Sequence, residues 1–367
     1  MKILVTGGAG FIGSNFLGAL VPRHPSCLFV CLDRLTYAGH PASLDPIRQA
    51  KNFVFEQGDV ADGDAVRGIF ARYNPDFVVH FAAETHVDRS IVEPTEFVRT
   101  NVMGTLNLLL AARAQGVRRF HHVSTDEVYG SLGDSDPAFH EGSPYDPSSP
   151  YAASKAAADH LVRSFHRTHG LPITITHASN NYGPRQMPDK LVPLAMTHAL
   201  DGRPIPVYGQ GRNRRDWLYV DDHCAAIWAV ILRGIPGETY DVGGSEERTN
   251  LDLVREVCRL VARETGRPPE SVESLITFVS DRPGHDHRYA VDTTRIRRDL
   301  GWAPKERLRS GLRSTLRWYL ANPGWVDAVR GTEHRAWLET NYAHRLELVD
   351  QSVEETEAPA TEEATVQ

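Results

Sequence analysis

The chain has 367 residues, 41% of them hydrophobic and 24% charged, with a formal net charge of −7. That length suffices for a large core in one domain or two closely joined ones, and the acidic balance leaves no surplus for a nucleic-acid backbone. No stretch has the length of a membrane span, and the apolar start meets glycine too early for a secretory leader, so a cytoplasmic protein is expected. Cys27, Cys31, Cys224 and Cys258 lack CxxC or zinc-type spacing. They read as reduced, buried thiols, with no metal expected.

Apolar runs and amphipathic stretches alternate from the start. Lys2–Thr6 reads as a strand and Phe11–Leu20 as a helix; strands follow at Leu28–Leu32, Phe53–Gln57 and Phe77–Phe81. A helix is predicted from about Glu96 to Gln115, a strand at Arg119–Ser124, and a helix starting near Tyr151. Continuous apolar strands separated by helices predict an α/β fold, a doubly wound parallel sheet of the Rossmann kind. Beyond about Leu171, proline and glycine become frequent, which predicts a smaller substrate-binding lobe in the C-terminal half. The expected division is 1–172 for dinucleotide binding, with segments around 215–245 returning to it, and 173–330 for the lobe. Residues 349–367, rich in Glu, Thr, Ala and Pro, are expected to form a disordered acidic tail.

Gly8-Ala9-Gly10-Phe11-Ile12-Gly13 fits GxGxxG between the first strand and the first helix, and Gly7, Gly10 and Gly13 fit GxxGxxG. Glycines there permit a tight turn and close approach of backbone N–H groups to a pyrophosphate. Asp33 ends the second strand, where a carboxylate can accept both ribose hydroxyls and repel a 2′-phosphate. NAD is therefore expected over NADP, with Arg34 as a counter-argument. Asp59-Val60 follows the third strand and reads equally as an adenine contact or as an ordinary turn aspartate.

Tyr151 and Lys155 lie four apart, one helical turn, so both side chains share a face. An ammonium there would lower the phenol's pKa toward neutrality and make it a base. Thr125-Asp126-Glu127 directly follows a strand whose carboxyl end opens on the ligand crevice. Two adjacent carboxyls in a closed site repel as anions, so one stays protonated, and an acid beside a base is what eliminating water needs. In isolation the two acids could equally cap a surface loop.

With these residues in view, the chain resembles the dTDP-glucose 4,6-dehydratases. The resemblance rests on Thr6–Gly13, Asp33–Gly39, Ala82–Ser90, Ser124–Gly130, Ser149–Lys155, Ser179–Pro184, Arg215-Asp216-Trp217 and Asp281–Asp286, and reaches about residue 328. It implies a homodimer built on the helices near 96–115 and 151–169. It also implies NAD held by Gly7, Gly10, Phe11, Ile12, Gly13, Asp33, Arg34, Leu35, Thr36, Asp59, Val60, Phe81, Ala82, Ala83, Thr85, Thr100 and Asn181, along with Tyr151 and Lys155. A nucleotide-diphosphate sugar would meet Thr85, Thr125, Asn180, Lys190, Leu191, Pro206, Val207, Tyr208, Arg215, Asn250, Asp281, Arg282 and His285. Arg215 and Arg282 read either as diphosphate forks or as structural ion-pair partners.

The implied chemistry is oxidation at C4 by Tyr151 with Lys155 and Thr125, proton removal at C5 by Glu127, and protonation of the departing 6-hydroxyl by Asp126. A UDP-sugar epimerase or decarboxylase using the same Tyr/Lys pair, a dehydratase acting on UDP-glucose and a non-catalytic NAD-binding protein are the alternatives. Three departures from the family's usual sequence, His40, His177-Ala178 and Met187, are expected near the substrate end.

Overall fold

Apolar residues dominate Lys2–Thr6 (β1), Leu28–Asp33 (β2), Phe53–Gln57 (β3) and Phe77–His80 (β4), while Arg119–Thr125 (β5) and Ile173–Ala178 (β6) carry buried His, Ser and Thr among their apolar residues. Six shorter or later strands follow: Asn180–Tyr182 (β7), Ile205–Tyr208 (β8), Arg214–Tyr219 (β9), Thr239–Val242 (β10), Glu247–Thr249 (β11) and Ile276–Val279 (β12). The computed structural model describes residues 1–331, 335–342 and 345. In it β1 to β6 and β10 form one parallel seven-stranded sheet in the order β3-β2-β1-β4-β5-β6-β10. The order reverses between β1 and β4, which opens a crevice at the carboxyl ends of the strands. The fold is thus a doubly wound α/β fold of the Rossmann kind.

Helices cover both faces of the sheet. One apolar layer packs β1 and β2 against the helix Phe11–Leu20 through Val5, Phe16, Leu17 and Phe29. The other uses Leu4, Val30, Val78, Leu108, Phe120 and Val162. Full burial of each such side chain stabilises the fold by about 1.5–3 kcal/mol.

The helix Pro150–His169 carries residues central to the site. Ser149 caps it by accepting from the Ala152 N–H at 3.1 Å, and Pro150 occupies its first turn. Tyr151, Ser154, Lys155, Ala158, Asp159, Val162 and Phe165 are buried at three- and four-residue spacing, so one stripe faces the sheet. Gly170, at φ 66°, closes the helix in the left-handed region. The helix predicted over Glu96–Gln115 is instead Pro94–Phe97, a π-type turn at Val98–Met103 and then Gly104–Gln115. In the π-type turn Asn101 turns inward to bond Glu84 and Ser154.

The boundary expected at residue 172 falls just ahead of β6, which lies within the main sheet. The remaining strands form two small sheets, β11-β9-β7 and β12-β8. They pack with the helices Leu191–Asp201, Asn250–Thr265 and Leu308–Ala321 around Val192, Ile205, Leu253, Val257 and Leu312. No helix among the described residues is long and apolar enough to cross a membrane. The tail predicted at 349–367 lies outside the described residues.

Candidate active site

One cleft runs along the carboxyl ends of β1, β2, β4, β5 and β6. Its wall includes Gly7, Gly10, Phe11, Ile12, Gly13, Asp33, Arg34, Thr36, Asp59, Val60, Phe81, Ala82, Ala83, Thr85 and Thr100. The same wall includes Thr125, Asp126, Glu127, Tyr151, Lys155, Asn180, Asn181 and Lys190.

The glycine loop is a cradle that side chains would fill. Gly7 has φ +71°, and a Cβ there would sit 2.5 Å from the Ala82 nitrogen. Two thiols lie beneath this loop. Cys31 Sγ is 2.5 Å from where a Gly8 Cβ would stand, and Cys224 Sγ lies 3.8 Å from the Ile12 carbonyl oxygen.

Asp33 is buried at the end of β2. Its carboxylate accepts from the Ala9 N–H at 2.9 Å and the Leu35 N–H at 2.8 Å. Burial raises its pKa while those two bonds pull the other way. Leu35 itself is not in the wall; it adopts φ 62° and packs against the core below. Asp59 lines the cleft and is also a turn residue, accepting from the Ala61 N–H at 2.8 Å and pairing with Arg99 at 2.7 Å. Arg34 is drawn to acids, 3.6 Å from Asp59 and 3.4 Å from Glu96.

At the end of β5, Thr125 starts the short turn Asp126–Tyr129 and accepts from the Glu127 N–H at 3.3 Å. Asp126 and Glu127 then meet different surroundings. Burial drives the Asp126 carboxyl well above its ordinary range, and the neighbouring Glu127 and Asp216 charges add to this. Burial also raises Glu127, but the cations Arg282, Lys190 and Arg215 oppose it. Both carboxyls are therefore raised, Asp126 the more strongly, which keeps Asp126 protonated and leaves Glu127, beside three cations, the more readily ionised of the two.

Lys155 donates to the Val123 carbonyl at 2.8 Å and lies 3.4 Å from His122 Nε2. Burial pushes it down to about 8, against the pull of Asp159. Tyr151 does not follow the expectation of a phenol brought toward neutrality by Lys155. Burial holds it well above the usual range, the Glu127 charge adds to this, and the Thr125 hydroxyl acts in the other direction.

The cleft wall also holds Gln186 and His223, which motif reading passed over, and Ser124 and Asp189, which lay in quoted motifs without a role. His223 donates from Nδ1 to Asn181 Oδ1 at 2.9 Å and is kept neutral by burial, pushed down to about 3. Only its position within Asp222-His223 after the aromatic strand β9 could have signalled it.

The residues expected at the nucleotide end divide. Lys190 reaches the cleft and donates to the Thr85 carbonyl at 2.8 Å. Leu191 begins a helix packed in the second core, and Pro206 and Val207 lie in β8. Asn250 opens the helix Asn250–Thr265, with its Oδ1 buried and lacking a protein partner. Tyr208, Arg282 and Arg345 gather instead around Asp88, at 3.3, 3.6 and 2.6 Å. His285 stands beside this group, donating from Nδ1 to Asp281 at 2.6 Å. Arg215 binds main-chain carbonyls of Arg214, Asp286 and His287 at 2.8–3.2 Å and stacks on Tyr289. Asp88 and Arg345 were thus not foreseen as neighbours; Arg345 lies beyond the stretch carrying the resemblance.

The departures fall in different places. Met187 lines the cleft, and His40 caps the short helix Pro41–Ile47. His177 is not at the substrate end: it sits in β6 with no solvent exposure, 2.8 Å from Asp159 on the Lys155 helix. A residue of β6 facing the helix Pro150–His169 lies behind the cleft, which spacing alone could not reveal.

Comparison with known proteins gives this geometry a family. The family described as GDP-mannose 4,6 dehydratase matches residues 4–315. A dTDP-glucose 4,6-dehydratase of Neisseria meningitidis serogroup B is 51% identical over 91% of this chain and 97% of its own length. The chain belongs to the nucleotide-sugar 4,6-dehydratase family. A solved dTDP-glucose 4,6-dehydratase from Streptomyces venezuelae, with NAD and dTDP bound, superposes with a TM-score of 0.82 at 45% identity, covering 90% of this chain and all of that one. A UDP-glucose 4-epimerase from Thermotoga maritima also superposes, with a TM-score of 0.79 at 29% identity, over 88% of this chain and 100% of its own. Backbone likeness is therefore shared by dehydratases and epimerases.

Proposed function

We propose that this chain converts dTDP-glucose to dTDP-4-keto-6-deoxyglucose with NAD as a recycled cofactor. The observation that carries the reading is the pair Asp126 and Glu127 in the same cleft as Tyr151 and Lys155, with Asp126 the more strongly held in its protonated form. Epimerisation needs no such acid–base pair.

The residues of the cleft suit NAD. The glycine cradle excludes side chains, Asp33 closes the end of β2, and several buried polar atoms at the wall lack protein partners, among them Ser124 Oγ, Ser179 Oγ, Asn180 Oδ1 and Thr100 Oγ1. Phe11, Ile12, Asp33, Val60, Thr100 and Asn181 would hold it. When bound, NAD supplies the hydride acceptor for C4, the hydride donor for C6 and the positive charge of its oxidised ring. Tyr151 takes the proton of the 4-hydroxyl, with Thr125 and the ammonium of Lys155 favouring its phenolate. The resulting ketone acidifies the C5 proton, which Glu127 removes. Asp126, held protonated, gives its proton to the departing 6-hydroxyl, and a 4-keto-5,6-ene results; as C6 takes up hydride, Glu127 returns a proton to C5. Lys190, Arg215 and Arg282 supply positive charge around Glu127 and toward the diphosphate.

In the proposed division of labour, the main-sheet half holds the dinucleotide and the lobe built from 173–330 holds the nucleotide sugar. A homodimer would form on the main-sheet half through Val98, Met103 and Leu110, exposed apolar side chains of the π-type turn and the helix Gly104–Gln115. The four cysteines are free and buried, which fits a reducing cytoplasm.

Purified protein incubated with dTDP-glucose and, in parallel, UDP-glucose should yield a product lighter by one water from the thymidine sugar, without net NADH. Loss of water from the uridine sugar alone would move the assignment to UDP-glucose. Inversion at C4 with no loss of water would make the chain an epimerase.

A further inference from the structure

Behind Lys155 lies a buried row of charged groups. His122 Nε2 sits 3.3 Å from Asp159 Oδ1 and 3.4 Å from Lys155 Nζ. His177 Nε2 lies 2.8 Å from Asp159 Oδ2, and its Nδ1 lies 3.2 Å from Asp241 Oδ1 on β10. His122, Asp159, His177 and Asp241 are all without solvent exposure.

We propose that His177 is an imidazolium clamped between Asp159 and Asp241, and that it acts through Asp159 as a positioning residue setting the charge state of Lys155. The proposal rests on reading Tyr151 and Lys155 as the proton-moving pair.

A neutral imidazole donates from one nitrogen only, so its other nitrogen would face a carboxylate oxygen with no proton between them. Two tyrosines do not resolve this. Tyr129 Oη is 2.7 Å from His177 Nδ1 and 3.0 Å from Asp241 Oδ1, and Tyr145 Oη is 3.0 Å from Nε2 and 2.9 Å from Asp159 Oδ2. Each hydroxyl has one proton; given to the ring, it would leave the carboxylate beside it less satisfied in a dry site. With both ring nitrogens protonated, each tyrosine donates to its carboxylate and each ring N–H faces an acceptor.

The direction of the protonation equilibria agrees. Burial opposes the charge on His177, but Asp159 and then Asp241 overcome it and hold the ring up to about 9. His122 is pushed down to about 4 by burial, with Lys155 adding to this, and stays neutral. Other groups facing the row are Glu141, whose Oε1 accepts from the Asp241 N–H at 3.2 Å, and Arg295, 3.5 Å from Glu141. Arg163 lies 5.0 Å over the Tyr145 ring, and His140 is near Asp241. Burial raises the Asp241 carboxyl, opposed by His177 and by the Tyr129 hydroxyl, so its negative charge depends on that ring. From the cleft outward the formal charges then alternate as Lys155 plus, Asp159 minus, His177 plus, Asp241 minus, and they sum to zero. Removing one outer charge therefore leaves a surplus that Lys155 feels through a poorly screening interior.

The test uses the full-length protein and three variants, with side-chain NMR of labelled histidine and lysine and the pH profile of kcat. In the parent, both ring nitrogens of His177 should be protonated at pH 7. Asp241→Asn should lower the Lys155 titration and the alkaline limb of kcat by about one pH unit, and His177→Asn should raise both by about as much. The double variant should return both to near the parent value. A neutral His177 at pH 7 overturns the proposal, as does a Lys155 titration that stays fixed or moves the same way in both single variants. The NMR titrations need no substrate, so failure to dehydrate any sugar would strike the functional assignment and leave this charge row tested on its own.

Discussion

A Cβ placed on Gly13 would lie 2.3 Å from the carbonyl oxygen of Gly7, closer than any real side chain approaches backbone. The first helix therefore packs on the loop before it only because that position is bare. Gly13→Ala should cost NAD affinity at least about 100-fold by calorimetry, because loop and helix must part where the pyrophosphate is cradled. Gly116→Ala is the control. It has φ +69° with nothing within 4 Å of where a Cβ would stand, and should cost only about 1 kcal/mol in urea unfolding with NAD affinity unchanged.

The unequal surroundings of the two carboxyls at the end of β5 lead to a separation of steps. Glu127→Gln should still oxidise C4 but lose exchange of the C5 proton with deuterated solvent. Asp126→Asn should keep that exchange and lose release of water. Each change should slow turnover by roughly 100- to 10,000-fold. Parent-like exchange in Glu127→Gln, followed by mass spectrometry, would remove Glu127 from its role.

Lys155 is charged below about pH 8 and neutral above it. Because the phenolate of Tyr151 needs that ammonium, kcat should fall on the alkaline side with an apparent pKa of about 8. A profile flat to pH 10 would show that the ammonium is dispensable.

His177 links stability to pH. Its folded value of about 9 exceeds the usual 6.5, so its contribution is complete below about pH 6.5 and is lost as pH rises through 9. Urea unfolding of the parent should lose on the order of 2 kcal/mol between those limits beyond what His177→Asn loses. Equal losses in both proteins would argue against the shifted group.

Val98, Met103 and Leu110 are 52%, 48% and 49% exposed. If they meet a second copy, Leu110→Glu should drop the mass found by light scattering from twice 40.8 kDa toward a single chain. A parent that already runs as one chain would end the homodimer assignment.

Strands β1 to β5 of the main sheet were legible, since β1, β3 and the helix Phe11–Leu20 stop where Gly7, Gly58 and Pro22 punctuate the chain, whereas β6 and β10 were not named as strands. Local periodicity could not foresee the π-type turn at Val98–Met103, whose cause is the inward Asn101 bonding Glu84 and Ser154, both distant in sequence. The glycine loop, Asp33 and the acids after β5 were readable because each sits next to a strand end. Asp88, His177 and His223 were not. What they do is set by partners 18 to 257 residues away, and no spacing rule reports such partners.

Cys31 and Cys224 lie beneath the glycine loop, sealed from water, and the first has its thiol pushed well above the ordinary range by burial and by Asp33. Alkylating reagents can reach them only when the loop lifts. Their modification rate is thus a built-in clock for local opening of the dinucleotide cradle, slowed in proportion to how firmly a bound molecule keeps that lid of backbone in place.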